Sequence, residues 1–163
     1  RDQCCAVRGR PVAVALDAEF GGRISEISHL GGHRYAATMV ILPTGYSYGF
    51  LEPESARAVV AAALDGLVHP AHLRGRADLT PEAQAADVYW RRGLGPAPVG
   101  DVSVTAEQVE GVDSNGFDVV RVEAVVQGTA DRVLVRRDTG SVIPMTAGGG
   151  KPIAAGRWVV EAA

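Results

Sequence analysis

The chain has 163 residues, 47% of them hydrophobic, which is enough to bury a core and excludes wholesale disorder. Sixteen basic residues against nineteen acidic ones leave a formal net charge of -3, without the basic excess that a nucleic-acid surface needs. No apolar run reaches the roughly 18–20 residues of a membrane span, so neither nucleic acid nor membrane is an expected partner.

The only two cysteines are adjacent, Cys4 and Cys5, and the strain of so short a ring excludes a disulfide scaffold. A reducing, cytoplasmic setting is therefore expected. The chain opens on Arg1 rather than methionine and reads as the remainder of a longer protein, so a targeting segment can lie further upstream. The basic pairs Arg8/Arg10, Arg91/Arg92 and Arg136/Arg137 read as solvated faces.

In chain order, Val12, Ala15, Leu16 and Phe20 fall on one helical face, predicting a helix over Pro11–Phe20 that Gly21-Gly22 stops. Ile24–Ser28 reads as a short strand, and His29-Leu30-Gly31-Gly32-His33 as a tight loop that two glycines allow. Tyr35–Leu42 reads as a strand buried on both faces at its apolar end. Across the turn Pro43-Thr44-Gly45, Tyr46, Tyr48 and Phe50 alternate as one face of its hairpin partner. Pro53 opens a helix with the stripe Val59, Val60, Ala63, Leu64 and Leu67, ending near Gly66.

Val68 to about Leu79 reads as a linker, and Thr80-Pro81 as the cap and first position of a third helix facing Leu79, Ala83, Ala86 and Trp90 inward. Gly93–Gly100 is a second break, and beyond it the chain becomes strand-rich. The clearest strand turns Val120, Val122, Ala124 and Val126 inward, with turns expected at Asp113–Gly116 and Asp138–Gly140. The expected fold class is α/β: a first unit over residues 1–76, then a helix and antiparallel β-rich region over 77–163.

Two features carry chemistry. His29 and His33 are separated by three residues including a diglycine, so both rings can turn onto one metal ion. Cys4 and Cys5 stand just before a helix, where unpaired N–H groups and the helix dipole favour thiolate over thiol. Adjacent side chains project apart, so one of the two faces such a site; burial as small hydrophobes is the other reading for both.

With these residues in view, the chain resembles the sucrase/ferredoxin-like family. Arg1-Asp2-Gln3-Cys4-Cys5-Ala6 with Gly9-Arg10-Pro11 is similar to its RDxCCAxxGRP segment, and Ser28-His29-Leu30-Gly31-Gly32-His33-Arg34 to its SHxGGHR signature. The segment Leu42-Pro43-Thr44-Gly45 through Tyr48-Gly49 is similar as well, and the resemblance is concentrated in residues 1–76. It implies a thioredoxin-like ferredoxin domain that here lacks its first strand. It also implies a [2Fe–2S] cluster with two cysteine and two histidine ligands: Cys5, His29, His33 and a cysteine lying upstream of Arg1. Imidazole in place of thiolate lowers the negative charge on such a centre and raises its potential. The implied role is electron transfer to or from a redox partner protein, a reductase or an acceptor, rather than catalysis.

The alternative from another class is a structural or regulatory zinc module built from the same Cys and His residues. The adjacent cysteines lack the C-x-x-C spacing of a dithiol enzyme. Glycosidase chemistry needs two carboxylates across a sugar cleft, and no such pair stands out, so sucrase activity is not expected. His69 and His72 form an HxxH pair within the linker, a poor place to fix ligands. Gly148-Gly149-Gly150-Lys151 lacks the rest of a phosphate loop and reads as a flexible turn.

Overall fold

The computed structural model describes residues 3–146 and 149–163, with side chains over residues 6–138 and 156–163. The described residues form a mixed α/β structure with three α-helices and antiparallel sheets. Helix α1 (Gln3–Phe20) begins well before the expected Pro11, which lies inside it rather than in its first turn. One interior proline removes a single intrahelical hydrogen bond, and Val12 and Leu16, both buried, hold the helix to the core. An exposed Arg57–Glu19 pair at 2.8 Å also joins α1 to α2 (Pro53–Leu64).

The predicted strand at Ile24–Ser28 does not form. The segment is irregular and its Ile27 is exposed; a strand needs a neighbour for its N–H and C=O groups, and none is paired with it. The next predicted strand is also shorter than expected. His33–Tyr35 is a 3-10 turn, and only Met39–Ile41 forms β1, half-buried rather than covered on both faces. The hairpin itself is present: β1 pairs antiparallel with β2 (Tyr46–Tyr48), which pairs on its other side with β4 (Leu73–Arg76). Tyr46 and Tyr48 share one face as expected, that face is buried in the core, and burial pushes the Tyr48 hydroxyl up to about 12. Phe50 breaks the alternation, leaving the sheet with φ 57 and an exposed ring.

Strand β4 and the two-residue β3 (Leu67–Val68) occupy what reads as a linker. The inward positions of β4 are Leu73 and Gly75, and a glycine is silent in a hydrophobic pattern. A side chain at Gly75 would collide with Gln84 of α3, so the missing Cβ is what lets helix and sheet meet.

Helix α3 (Pro81–Leu94) is capped as its sequence predicts, with the Ala83 N–H donating to Thr80 Oγ1 at 3.2 Å. It serves two cores. Val88 joins Val12, Leu16, Tyr46, Leu51 and Val59 on one side. Ala83, Ala86 and Trp90 pack on the other side against Val120, Val122, Ala124, Val133 and Val135 of a four-stranded meander. That meander is β6 (Val102–Val112), β7 (Asp118–Val126), β8 (Thr129–Thr146) and β9 (Gly149–Ala162), after the short β5 (Ala97–Pro98), which pairs with β3. The inward set on β7 matches its alternation. Asp113–Gly116 is the expected turn, with Asp113 Oδ1 accepting from the N–H groups of Asn115 and Phe117. Asp138–Gly140 is not a turn: β8 runs through it with a register shift against β9. The Gly148 position lies outside the described residues.

Arg91 overturns the reading of its pair as a solvated face. It is 1% exposed, its Nε donates to Asp87 Oδ1 at 3.1 Å, and its Nη2 donates to the Val99 carbonyl at 2.7 Å. Its guanidinium also lies 5.0 Å from the centroid of the Tyr46 ring. Burial pushes the Asp87 carboxyl above the ordinary carboxylate value, and Arg91 pulls it back. Arg91→Met should therefore cost about 3–5 kcal/mol, because it leaves a buried carboxylate unpaired. Without its partner the folded-state pKa of Asp87 rises further above the unfolded one. The loss should then be greatest at neutral pH and shrink as pH falls toward roughly 4, where the carboxyl protonates in both states. Urea denaturation across pH measures this, and an Asp87→Leu/Arg91→Met double variant should recover most of the stability.

Candidate functional site

The histidine loop is built by backbone geometry. After α1, a 3-10 turn at Gly21–Arg23 releases the chain into an exposed stretch that ends at Gly31 and Gly32, with φ 81 and φ 69. Two successive left-handed residues reverse the chain within one step, a conformation open to glycine and costly for others. The Tyr35 N–H then donates to the Gly32 carbonyl at 2.8 Å and the Ala36 N–H to the His33 carbonyl at 3.2 Å, closing the 3-10 turn His33–Tyr35. His29 and His33 come together as a result, with ring centroids 4.4 Å apart and planes inclined by 37°. His29 is exposed and His33 half-buried.

A platform behind the loop fixes it. The Tyr35 ring has the Arg34 guanidinium 4.6 Å and the Arg74 guanidinium 4.2 Å from its centroid. Phe50 meets the same ring edge-on at 5.3 Å, and the Phe50 N–H donates to the Tyr35 carbonyl at 2.6 Å. Arg34 Nη2 donates to the Tyr35 hydroxyl at 2.5 Å. Burial, and then the Arg34 charge, hold Arg74 below the ordinary arginine value, against the pull of Tyr35. Two glycines make room. A Cβ at Gly32 would lie 2.9 Å from Tyr35 Cδ2 and 3.0 Å from Arg74 Nη2, and one at Gly49 would lie 2.8 Å from both Arg74 Cδ and Tyr35 Cβ.

The backbone of Cys4 and Cys5 lies in the first turn of α1, inside the helix rather than before it, where N–H groups remain unpaired. Their side chains lie outside the described ones. Among the described residues no group of three or more His, Cys, Asp or Glu side chains gathers to hold a metal ion. His69 and His72 belong to that result: His69 Nδ1 accepts from the Ala71 N–H at 3.2 Å, and the His72 carbonyl accepts from the Gly49 N–H. The His29/His33 pair is different in kind. Two imidazoles on one tetrahedral ion, with metal–nitrogen bonds of about 2 Å, bring their ring centres to about 5 Å. The observed separation of the ring centres, 4.4 Å, is somewhat shorter than that.

No motif in the sequence marks Tyr35, Phe50 or Arg74 as part of a site. Arg74 sits in the presumed linker, and its relation to Tyr35 depends on β2–β4 pairing. The one available signal is Gly49, a glycine between two aromatics that otherwise has no reason to lack a side chain.

The sequence model described as sucrase/ferredoxin-like matches residues 1–75, bearing out the family resemblance over that segment, which holds both cysteines and both loop histidines. No curated protein and no solved structure matches the chain. No helix among the described residues is long and apolar enough to cross a membrane.

The diglycine is directly testable. Gly31→Ala should cost only the left-handed strain, about 1–2 kcal/mol. Gly32→Ala should cost more, because its Cβ also meets Tyr35 and Arg74. Chemical denaturation of the two variants measures the difference, and equal costs would contradict the platform.

Proposed function

We propose that this protein is a one-electron carrier whose [2Fe–2S] cluster is held by Cys5, His29, His33 and a second cysteine upstream of Arg1. The observation that carries the reading is the His29/His33 ring pair at 4.4 Å within a sucrase/ferredoxin-like segment. When bound, such a cluster supplies reversible one-electron chemistry at a potential raised by its two neutral imidazole ligands. The chain's own contribution is positional. Gly31 and Gly32 turn the two imidazoles toward each other, Tyr35 and Arg74 stop the loop from opening, and α1 offers Cys5 in its first turn. There, unpaired N–H groups favour the thiolate that binds iron.

The same reading makes residues 1–76 a thioredoxin-like ferredoxin unit and residues 77–163 an appended region, working with a protein redox partner in the cytoplasm. Electron carriage needs no substrate cleft, in keeping with a site on an exposed loop.

The intact protein, purified anaerobically, should be brown, with visible absorption and about two irons per chain. His33→Cys should keep the colour and lower the reduction potential by on the order of 100 mV, since a thiolate adds negative charge at the iron. Protein-film voltammetry measures the shift. A colourless protein carrying zinc would replace this reading with the structural metal module, and an unchanged potential would remove His33 from the ligand set.

A further inference from the structure

The Tyr35 platform contains more positive charge than its structural role needs. Arg34 and Arg74 both lie within 5 Å of one ring centroid, yet among the described residues neither has a carboxylate in ion-pair range. Other arginines here behave differently: Arg57, Arg76, Arg91, Arg121 and Arg136 each engage an acidic side chain. Two like charges gathered on one ring repel, and an incoming anion relieves the repulsion. Arg34 Nε is buried without a hydrogen-bond partner among the described residues, and Arg34 Nη2 already engages Tyr35. Among the described residues, much of the forked donor capacity of the two guanidiniums therefore has no acceptor.

Strand β8 lies along the His33–Tyr35 turn, and the surface left uncovered beside it is partly apolar. Phe50 is 53% exposed and held with φ 57, a conformation that a bulky residue adopts only when its neighbours impose it. Leu30, between the two histidines, is 41% exposed. An exposed aromatic ring beside arginines is the composition that carries binding energy at protein–protein contacts.

We propose that Arg34, Arg74, Tyr35 and Phe50 form the docking face for an acidic partner protein, whose carboxylates engage the two guanidiniums while an apolar residue covers Phe50. The partner's role in electron exchange rests on the reading given above; the docking face itself does not. Because Arg34 directly follows His33 and Arg74 lies against Gly32, an acidic surface seated here is brought beside the histidine pair. Binding of this kind gains speed and orientation from charge and weakens as salt screens it.

The test is a titration of the full chain with a hexaglutamate peptide at low and at physiological salt, followed by amide NMR and calorimetry. Shifts should centre on residues 32–35, Phe50 and Arg74, and the affinity should fall several-fold as salt rises. Arg34→Gln/Arg74→Gln should weaken binding at least tenfold. Arg34→Lys/Arg74→Lys, which keeps the charge, should lose less, and Arg132→Gln on an exposed part of β8 should change nothing. Unperturbed amides at this face, shifts centred on the arginines of the four-stranded meander, or equal binding by the Gln double variant would each overturn the proposal. The wild-type shifts need no variant to fold. Peptide binding at this face by a colourless protein would keep the docking surface and remove the electron-carrier reading. A brown protein whose face ignores the peptide would do the reverse.

Discussion

Everything around the histidine pair depends on the chain passing through two consecutive left-handed residues, Gly31 and Gly32, beside a tyrosine packed between Arg34, Arg74 and Phe50. A single such residue would turn the chain, but two in succession bring positions 29 and 33 back onto each other across the reversal. Gly32 is constrained twice, by its φ and by the Tyr35 ring and Arg74 guanidinium where a Cβ would stand. The loop is therefore packed from behind, with His29 exposed and His33 half-buried. An exposed loop with little regular structure of its own can in this way hold a defined geometry.

The bracing traces back to the sheet. Arg74 reaches Tyr35 from β4, β4 is placed by antiparallel pairing with β2, and Gly75 on β4 lets α3 lie close. Helix α3 in turn carries the buried Asp87–Arg91 pair, whose arginine reaches the carbonyls of Pro98 and Val99 at the entrance to the meander. A buried ion pair is weak as a source of stability but strict about geometry, because each charge is costly without the other. The chain from meander to α3 to β4 to the histidine loop is continuous in packed and hydrogen-bonded contacts.

Much of this was legible in the sequence, and the misses share physical causes. The cap at Thr80, the inward face of α3 and the alternation in β7 were readable because each depends on local spacing. The hairpin of β1 and β2 was readable from its turn residues. Ile24–Ser28 has strand composition but no paired neighbour, and composition cannot report pairing. Strand β4 was hidden by Gly75, and Phe50 left its expected face because it follows Gly49, which the Tyr35 and Arg74 side chains cross. Arg91 reads as a surface residue beside Arg92, and only the fold shows that it and Asp87, one turn away, share the buried side of the helix. The histidine pair was legible from its motif, whereas the platform beneath it depends on contacts between residues about forty positions apart in sequence, beyond what periodicity carries.

In the proposed [2Fe–2S] centre, His29 and His33 are both ligands of one iron. Electron spin echo envelope modulation on the reduced intact protein, prepared with ¹⁵N-labelled histidine, addresses the bonds themselves. Two histidine nitrogen couplings are expected on the reduced centre, one of which disappears in His33→Cys. A reduced cluster without histidine coupling, or no paramagnetic centre at all, would contradict it.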